Sequence, residues 1–341
     1  MKALDWAQER LVFRSWYPLA LTALAMCFVA AHGHAQMTRI STLPPPYRIA
    51  TQPESIAAPV PLPGYVDLDS YVSGPATGQM PYGYAPSAST WDAQVLPDGL
   101  IFDSYLAGTK ESRFSTHIYR GFEDSTIFDA TLGARIGLLR YGTHDIYRPE
   151  GWQIDAEGSG QVRLDIPEDV DVRSADFRAG LPITYGVGNH RWKLAYYHLS
   201  SHVGDEFLLK NPGFTRLNYA RDVFVLAYAR YLNPKLRMYG EVGWAFYDEI
   251  SRPWEFQVGI DYAPCGPTGL YGEPFFAMNG HFRQEVDFGG AFTFQLGWAW
   301  RGDESSNMLR TGLHYYNGKS NQYSFFNEHE QQLGFGLWYD F

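Results

Sequence analysis

The chain has 341 residues, of which 19% are charged and 16% are aromatic, and its formal net charge is −10. This acidic balance excludes nucleic acid as a partner, because nucleic acid requires a basic surface. The two cysteines, Cys27 and Cys265, are too few for a zinc cluster, and we expect Cys265 in a turn without a chemical role. The 24 tyrosines and 10 tryptophans belong to residue types that are enriched at membrane interfaces.

The first 35 residues have the pattern of a secretory signal peptide. Three basic residues precede an apolar run from Leu19 to Ala31, and the small residues of Gly33-His34-Ala35 follow it. The apolar run is shorter than a membrane-spanning helix requires. We therefore predict a signal peptide over residues 1–35 and a secreted mature chain.

Residues 36–98 differ in composition from the rest of the chain. They contain 11 of the 21 prolines, including Pro44-Pro45-Pro46, and few charged residues. Such a segment buries too little apolar surface to offset its ordering entropy, and proline removes hydrogen-bond donors. We predict a proline-rich, disordered periplasmic spacer, and the alternative is a spacer that binds a partner or lies close to the cell wall.

From residue 99 onward, apolar and polar residues alternate with a period of two. The runs Phe128–Leu138 and Trp152–Ile166 show this pattern, and no stretch approaches twenty apolar residues. Strands of soluble proteins have about five or six residues, whereas these runs have about ten to sixteen, which suits tilted strands that cross a bilayer. The predicted fold class is therefore all-β, with a transmembrane antiparallel β-barrel over residues 99–341.

We predict about twelve strands, and an even number places both chain ends in the periplasm. The alternation continues up to the terminal Phe341, an ending that resembles the C-terminal signature of bacterial outer-membrane barrels. That resemblance implies localisation in the outer membrane and recognition by the barrel-assembly machinery through the Phe341 strand. The predicted strands are 99–107, 126–142, 152–166, 173–188, 190–203, 221–233, 236–248, 254–264, 274–286, 290–302, 307–318 and 329–341.

The inner face of the predicted barrel is charged but nearly neutral. Because an unpaired buried charge is costly, these groups are expected to pair and to fill a narrow lumen, whereas an open channel is typical of wider barrels. We therefore predict a plugged lumen. The predicted inward residues are Asp129, Asp155, Glu157, Asp165, Asp176, Glu241, Glu255, Asp261, Glu285, Asp340, Arg135, Arg163, Arg178, Lys193, Arg230, Arg237, Arg283, Arg301 and Arg310.

One predicted strand carries polar residues on its lipid-facing side. Arg191 and Lys193 assign the odd-numbered positions of this strand to the lumen, so His198, Ser200 and His202 face outward near its extracellular end. Residues i and i+2 share a face of a strand, and a histidine beside a serine can act as its general base. The pattern predicts a nucleophilic pair that meets lipid esters, and the alternative is a polar pair at the membrane interface without catalysis.

This His-x-Ser pair resembles the site of outer-membrane phospholipase A, a twelve-stranded barrel. The resemblance implies an asparagine on the neighbouring strand as the third catalytic residue. Asn218 is the candidate, with Asn211 as the second choice. Asn218 and Asp222 are both even-numbered and share a face of the predicted strand, so an inward-facing Asp222 would turn Asn218 inward as well. The resemblance also implies calcium near the loops, with Asp205 and Glu206 as candidate ligands, for which a solvated loop is the alternative.

Over the whole barrel region, the chain is similar to an uncharacterised family catalogued as domain of unknown function 1207. The resemblance is carried by Leu96–Leu100, Arg148–Trp152, His198–Phe207 and Tyr316–Ser320. It implies a bacterial outer-membrane protein without an established activity.

Two functions follow from these patterns. The first is a membrane-lipid acyl-ester hydrolase with Ser200 as nucleophile, His198 as base and Asn218 as the orienting residue. The alternative is a non-enzymatic barrel, either a narrow channel for small solutes or a structural or adhesion protein. The orientation of His198 and Ser200 and the openness of the lumen discriminate between them.

Overall fold

The structure is a computed structural model that describes residues 90–120 and 126–341. The predicted signal peptide and most of the predicted spacer lie outside these residues and stay predictions. Within the described ranges, no helix is long and apolar enough to cross a bilayer. The strands of the described chain are β1 (Asp92–Val95), β2 (Phe114–Arg120), β3 (Thr126–Gly142), β4 (Gly151–Asp165), β5 (Asp171–Val187), β6 (His190–Val203), β7 (Tyr219–Asn233), β8 (Leu236–Asp248), β9 (Trp254–Tyr262), β10 (Glu273–Arg283), β11 (Gly290–Arg301), β12 (Met308–Lys319) and β13 (His329–Asp340).

Strands β2 to β13 close into an antiparallel barrel. Each strand pairs with its neighbour in sequence, and β13 pairs with β2 to close the sheet. At this seam Phe335 lies opposite Ile118, and Leu337 lies opposite Thr116. Closure leaves no open edge within the barrel wall, which a sheet in hydrocarbon requires because lipid offers no hydrogen bonds. The predicted fold class and number of strands are confirmed.

The two ends of the barrel carry connections of different length. We call the near end the one that holds Asp340 and the tight turns at 188–189 and 234–235, and the far end the one that holds the loops 204–218 and 320–328. The short strand β1 pairs with the near end of β3, with Asp92 opposite Gly142. The last residues of the predicted spacer therefore join the sheet and lead the chain to the near end.

The outer wall exposes large apolar side chains. Toward the near end, aromatic rings follow one another across neighbouring strands: Trp152 and Tyr185 have centroids 4.5 Å apart, Tyr185 and Trp192 5.6 Å, and Trp192 and Tyr228 5.5 Å. Aromatic belts of this kind form where a membrane protein meets the headgroups. Side chains that are about half exposed on the wall include Leu132, Leu181, Leu194, Phe224 and Leu337.

The first predicted strand, residues 99–107, is wrong. Residues 99–113 lie inside the lumen as a segment that we call the plug, and the first strand of the barrel is β2. Leu100, Ile101 and Phe102 are consecutive and all buried, at 5%, 1% and 0% exposure. A wall strand would turn every second residue toward lipid, so this run of apolar residues suits the interior and not the wall.

The plug is bound to the wall by hydrogen bonds from buried side chains. Arg237 donates to the carbonyl oxygens of Asp103 and Ser104, at 2.7 Å each. The hydroxyl of Tyr105 donates to Glu241 Oε2 at 2.7 Å. Irregular backbone inside a barrel needs such partners, because its peptide groups have no neighbouring strand to bond.

The predicted inward orientation of Asp222 and Arg230 on β7 is also wrong. The odd-numbered residues of β7 are buried and the even-numbered residues lie outside. Ala227 and Ala229 face inward, where they pack against aromatic residues of the plug. The lumen wall is apolar here because the plug fills the adjacent space, so the small side chains point inward and the larger ones meet lipid.

Most of the predicted lumen charges are buried in ion pairs. Together with the plug, they fill the interior, and the prediction of a plugged lumen is confirmed. The pairs, with their nitrogen–oxygen distances, are Arg135–Asp155 (2.6 Å), Arg163–Asp129 (2.8 Å), Arg178–Glu157 (3.0 Å), Lys193–Glu241 (2.7 Å), Arg237–Asp261 (2.5 Å) and Arg310–Asp340 (2.7 Å).

The plug and the far loop 320–328 meet at one buried carboxylate, that of Asp176. Its Oδ2 atom lies 2.5 Å from Lys110 Nζ of the plug and accepts the backbone N–H of Tyr323 at 3.1 Å. Its Oδ1 atom accepts the hydroxyl of Ser201, which in turn accepts the N–H of Ser324 at 2.8 Å. Asp176 therefore joins the plug, the wall and the far loop.

Candidate active site on the outer wall

Strand β6 places His198 and Ser200 on the outside of the barrel. Arg191 and Lys193 are buried, and the even-numbered positions that start with Trp192 lie on the outer face. His198 and Ser200 follow the same alternation. The predicted parity of this strand is confirmed, and both side chains can be reached from the membrane side.

His198 forms a hydrogen bond with the neighbouring strand. It lies directly opposite Asp222 in the ladder of β6 and β7, and its Nδ1 atom is 2.9 Å from Asp222 Oδ1. The same oxygen accepts the hydroxyl of Tyr196 at 2.7 Å. Because a carboxylate only accepts, Nδ1 carries the proton of the neutral imidazole and Nε2 keeps its lone pair. The side chain of His198 is 44% exposed, so Nε2 is available as a base.

Ser200 lies two residues beyond His198 on the same face, roughly 6.6 Å along the strand. Its cross-strand partners are Phe177 of β5 and Ala220 of β7. Within the described part of the chain, no side chain forms a hydrogen bond with Ser200, and that of His198 is no exception. The hydroxyl is therefore beside a histidine base and next to an apolar surface.

The cluster lies at the far boundary of the apolar wall. Ser200 follows His190, the first residue of β6, by ten positions, or about 33 Å along an extended strand. With a tilt of about 40°, this is a height of about 25 Å, the thickness of the apolar band of such barrels. Ser200 and His198 are thus at the depth where acyl chains join the headgroups, with Phe177 and Phe224 exposed beside them.

The two predicted asparagines have other partners. Asn218 precedes β7 by one residue, and its side-chain amide donates to Glu249. Asn211 ends the short helix α1 (Asp205–Lys210), where its side chain donates to the carbonyl of Phe207 at 2.9 Å. The catalytic role of Asn218 stays a prediction, and the residue that contacts His198 in this structure is Asp222.

The two predicted calcium ligands, Asp205 and Glu206, form the exposed first turn of α1. At the other end of this helix, hydrogen bonds from Lys210 to Asp171 and Glu168 raise the pKa of the lysine. Among the residues that the structure describes, no group of three or more histidine, cysteine and acidic side chains is arranged to hold a metal ion. Calcium at Asp205 and Glu206 stays a prediction.

Asp222 is the residue of the cluster that sequence reasoning missed. The resemblance to the phospholipase points to an asparagine as the third residue, and the sequence pattern predicts an inward-facing Asp222. The signal was present in β7, where the large residues Phe224, Leu226 and Tyr228 occupy even positions. Since large apolar side chains face lipid in a barrel with a filled interior, their parity indicates an outward Asp222.

These features define a membrane-spanning antiparallel β-barrel with a filled lumen and a polar cluster on its outer wall. Residues 75–341 match the sequence profile of the family described as "Protein of unknown function (DUF1207)". This match covers more than half of the chain, and the protein belongs to that family. No curated protein matches the chain.

Several solved barrels are similar in fold. The KdgM porin is 11% identical with a TM-score of 0.38, over 67% of this chain and 99% of that one. The outer membrane phospholipase A from Escherichia coli is 12% identical with a TM-score of 0.43, over 68% and 92% of the two chains. The Salmonella typhi outer membrane phospholipase dimer with bound calcium is 12% identical with a TM-score of 0.42, over 67% and 90%.

Proposed function

We propose that this barrel is a serine hydrolase that cleaves acyl esters of membrane lipid, with Ser200 as nucleophile, His198 as general base and Asp222 as the orienting carboxylate. The observation that carries the proposal is the 2.9 Å hydrogen bond from His198 Nδ1 to Asp222 Oδ1 on the outer wall. This bond fixes the imidazole tautomer in which Nε2 can accept a proton. Ser200 lies two residues beyond His198 on the same face of β6.

In the first step, the hydroxyl oxygen of Ser200 attacks the acyl carbon of a lipid ester while His198 Nε2 takes the hydroxyl proton. The tetrahedral intermediate collapses as the ester C–O bond breaks, and His198 returns the proton to the leaving alcohol. The products are a lysolipid and an acyl group on Ser200. Asp222 stabilises the imidazolium that exists between the two proton transfers, so its charge lowers the barrier of both.

In the second step, water replaces the alcohol. His198 Nε2 takes a proton from the water molecule as its oxygen attacks the acyl carbon, and the proton passes to the oxygen of Ser200 as the acyl bond breaks. A free fatty acid leaves and the starting enzyme is regenerated. Phe177 and Phe224, both exposed beside the cluster, offer an apolar surface on which the acyl chain can rest in either step.

We also propose the setting in which this chemistry takes place. The barrel resides in a bacterial outer membrane, with the near end and both chain termini in the periplasm, and the cluster faces the outer leaflet. The proline-rich spacer precedes the barrel in the periplasm after removal of the signal peptide. The terminal residue Phe341 packs on Phe114 at 5.3 Å between ring centroids, and this end is the proposed recognition element for the barrel-assembly machinery.

The test measures fatty-acid release from phospholipid in detergent micelles and covalent labelling by a fluorophosphonate probe. We expect both in the unmodified barrel, with the probe attached to the peptide that contains Ser200. Ser200→Ala should lose both signals, whereas Ser201→Ala, whose hydroxyl faces the lumen, should keep them. If the folded barrel shows neither release nor labelling, the non-enzymatic alternative stands.

A further inference from the structure

The near-end loop between β9 and β10 has an unusual composition. Its ten residues, 263–272, include no charged side chain, whereas the neighbouring near-end loop 302–307 contains Asp303 and Glu304. Two of its side chains, Leu270 and Tyr271, are 97% and 92% exposed. A charge-free loop with two exposed large side chains is poorly suited to water.

The second half of this loop, residues 268–272, folds back over the outer wall of the barrel. The indole N–H of Trp298 donates to the carbonyl of Tyr271 at 2.6 Å, and that of Trp300 donates to the carbonyl of Leu270 at 3.0 Å. Thr268 forms a backbone hydrogen bond to the carbonyl of Arg301 at 3.1 Å. Because lipid provides no donors, carbonyl groups on a lipid-facing surface need partners from the protein, and the two tryptophans supply them.

Glycine permits this close approach. Gly269 and Gly272 adopt positive φ angles of 60° and 65°, which favour glycine over other residues. A Cβ atom at Gly272 would lie 2.7 Å from Trp298 Cδ1 and 2.7 Å from Trp300 Nε1. Any larger residue would push the loop away from the wall, so the backbone contact depends on glycine at this position.

We infer that Leu270 and Tyr271 insert into the membrane leaflet at the near end and anchor the barrel there. Lipid is the occupant that fits, because the loop has no charge and continues the apolar wall formed by Leu296 and Trp298. The carbonyls of Leu270 and Tyr271 already accept hydrogen bonds from the protein. Leucine enters the acyl region, whereas tyrosine has an apolar ring and a polar hydroxyl that suit the headgroup boundary. The charged residue that follows, Glu273, pairs with Lys235 at 2.6 Å and marks the return to water.

The test places a fluorophore on the loop of the full-length barrel. In a Cys27→Ser/Cys265→Ser background, Leu270→Cys is labelled with an environment-sensitive nitrobenzoxadiazole dye and reconstituted in dioleoyl phosphatidylcholine vesicles. Because interfacial side chains lie about 5–10 Å deep, we expect blue-shifted emission and a loss of roughly half the fluorescence when the acyl chains are brominated. Glu304→Cys in the same background is the matched control and should emit as in water, without quenching.

Equal emission and equal quenching at positions 270 and 304 would overturn the inference. Tyr271→Cys provides a second position and should also be quenched, but less than position 270. Trp298→Phe removes the donor to the Tyr271 carbonyl and should reduce quenching at position 270 because the loop is released. Electrophoretic mobility with and without heating shows that each variant is folded, so a loss of quenching can be assigned to the loop.

Discussion

On each of its two faces, strand β6 has a serine near an aspartate of a neighbouring strand. The two sites differ in how many of their hydrogen-bonding groups have partners. On the inner face, Ser201 bonds to Asp176 and also to Ser324 of the far loop. On the outer face, Ser200 lies beside His198, which bonds to Asp222 through one nitrogen and keeps the other free. The inner side chains are buried and fully engaged, whereas the outer ones are accessible.

This difference separates structural polar groups from candidate reactive ones. A buried polar group stabilises a fold only if its hydrogen bonds are satisfied, and the inner cluster meets that condition. The outer cluster keeps a basic nitrogen and a hydroxyl available at the membrane boundary. The position of a polar group relative to its partners, and not its residue type, therefore indicates which face carries chemistry.

The largest effect is expected at the two adjacent serines of β6. Ser200→Ala removes the proposed nucleophile and should lower kcat/KM for phospholipid by about a thousandfold or more. Ser201→Ala should retain the activity but lose a buried hydrogen bond, with a destabilisation of about 1–3 kcal/mol. Fatty-acid release and urea unfolding in vesicles measure the two effects. Loss of activity in Ser201→Ala with full activity in Ser200→Ala would contradict the assignment of the reactive serine to the outer face.

The second prediction concerns Asp222. Asp222→Asn keeps the shape of the side chain but removes its charge and lets it donate to His198, which favours the wrong tautomer. We expect a loss of about a hundredfold to ten-thousandfold in kcat with little change in stability. Steady-state kinetics on micellar phospholipid measure this loss, and full activity of the variant would exclude a catalytic role for the carboxylate.

The third prediction concerns the matching carboxylate on the inner face. Asp176→Asn leaves Lys110 buried without its counter-charge, so we expect a destabilisation of about 3–5 kcal/mol. Activity per folded molecule should stay near that of the unmodified barrel, because Asp176 has no contact with the outer cluster. Urea unfolding and the activity of the folded fraction are measured on the same sample, and unchanged stability would contradict the assigned structural role.

The smallest expected effect belongs to Tyr196. Tyr196→Phe removes one of the two hydrogen bonds to Asp222 Oδ1, at a cost of about 1 kcal/mol in the orientation of the carboxylate. We expect kcat to fall by about threefold to tenfold with KM unchanged. Tyr197→Phe, on the inner face, is the control and should alter stability more than kcat. An identical response of both variants would argue against a positioning role for Tyr196.

Strands β3 to β13 could be predicted from the sequence because lipid imposes a strict alternation on them. The first residues of β4 show it clearly, with Trp152 and Ile154 exposed between buried neighbours. Strand β2 was missed because it has only seven residues and mixes polar and apolar side chains on both faces. The plug resembles a strand in sequence because a short apolar run has the same composition inside the lumen as in the barrel wall.

The candidate site was predicted only in part. Arg191 and Lys193 show that the odd-numbered residues of β6 face the lumen, so the outward orientation of His198 and Ser200 could be predicted from the sequence. The partner of His198 depends on the register between β6 and β7, which the loop 204–218 sets and which alternation alone does not reveal. The family, by contrast, was correctly identified from four short motifs, and the match over residues 75–341 confirms it.

The position of the plug in the chain constrains how the protein is built. Residues 99–113 come immediately before β2, and β2 forms the closing seam with β13. This seam has seven registered residue pairs and the ladder between β2 and β3 has six, compared with fourteen between β5 and β6. The bulky side chains of the plug must therefore enter the lumen before β2 closes the barrel. Because both ladders of β2 are short, this strand is where the barrel should first open under heat or denaturant.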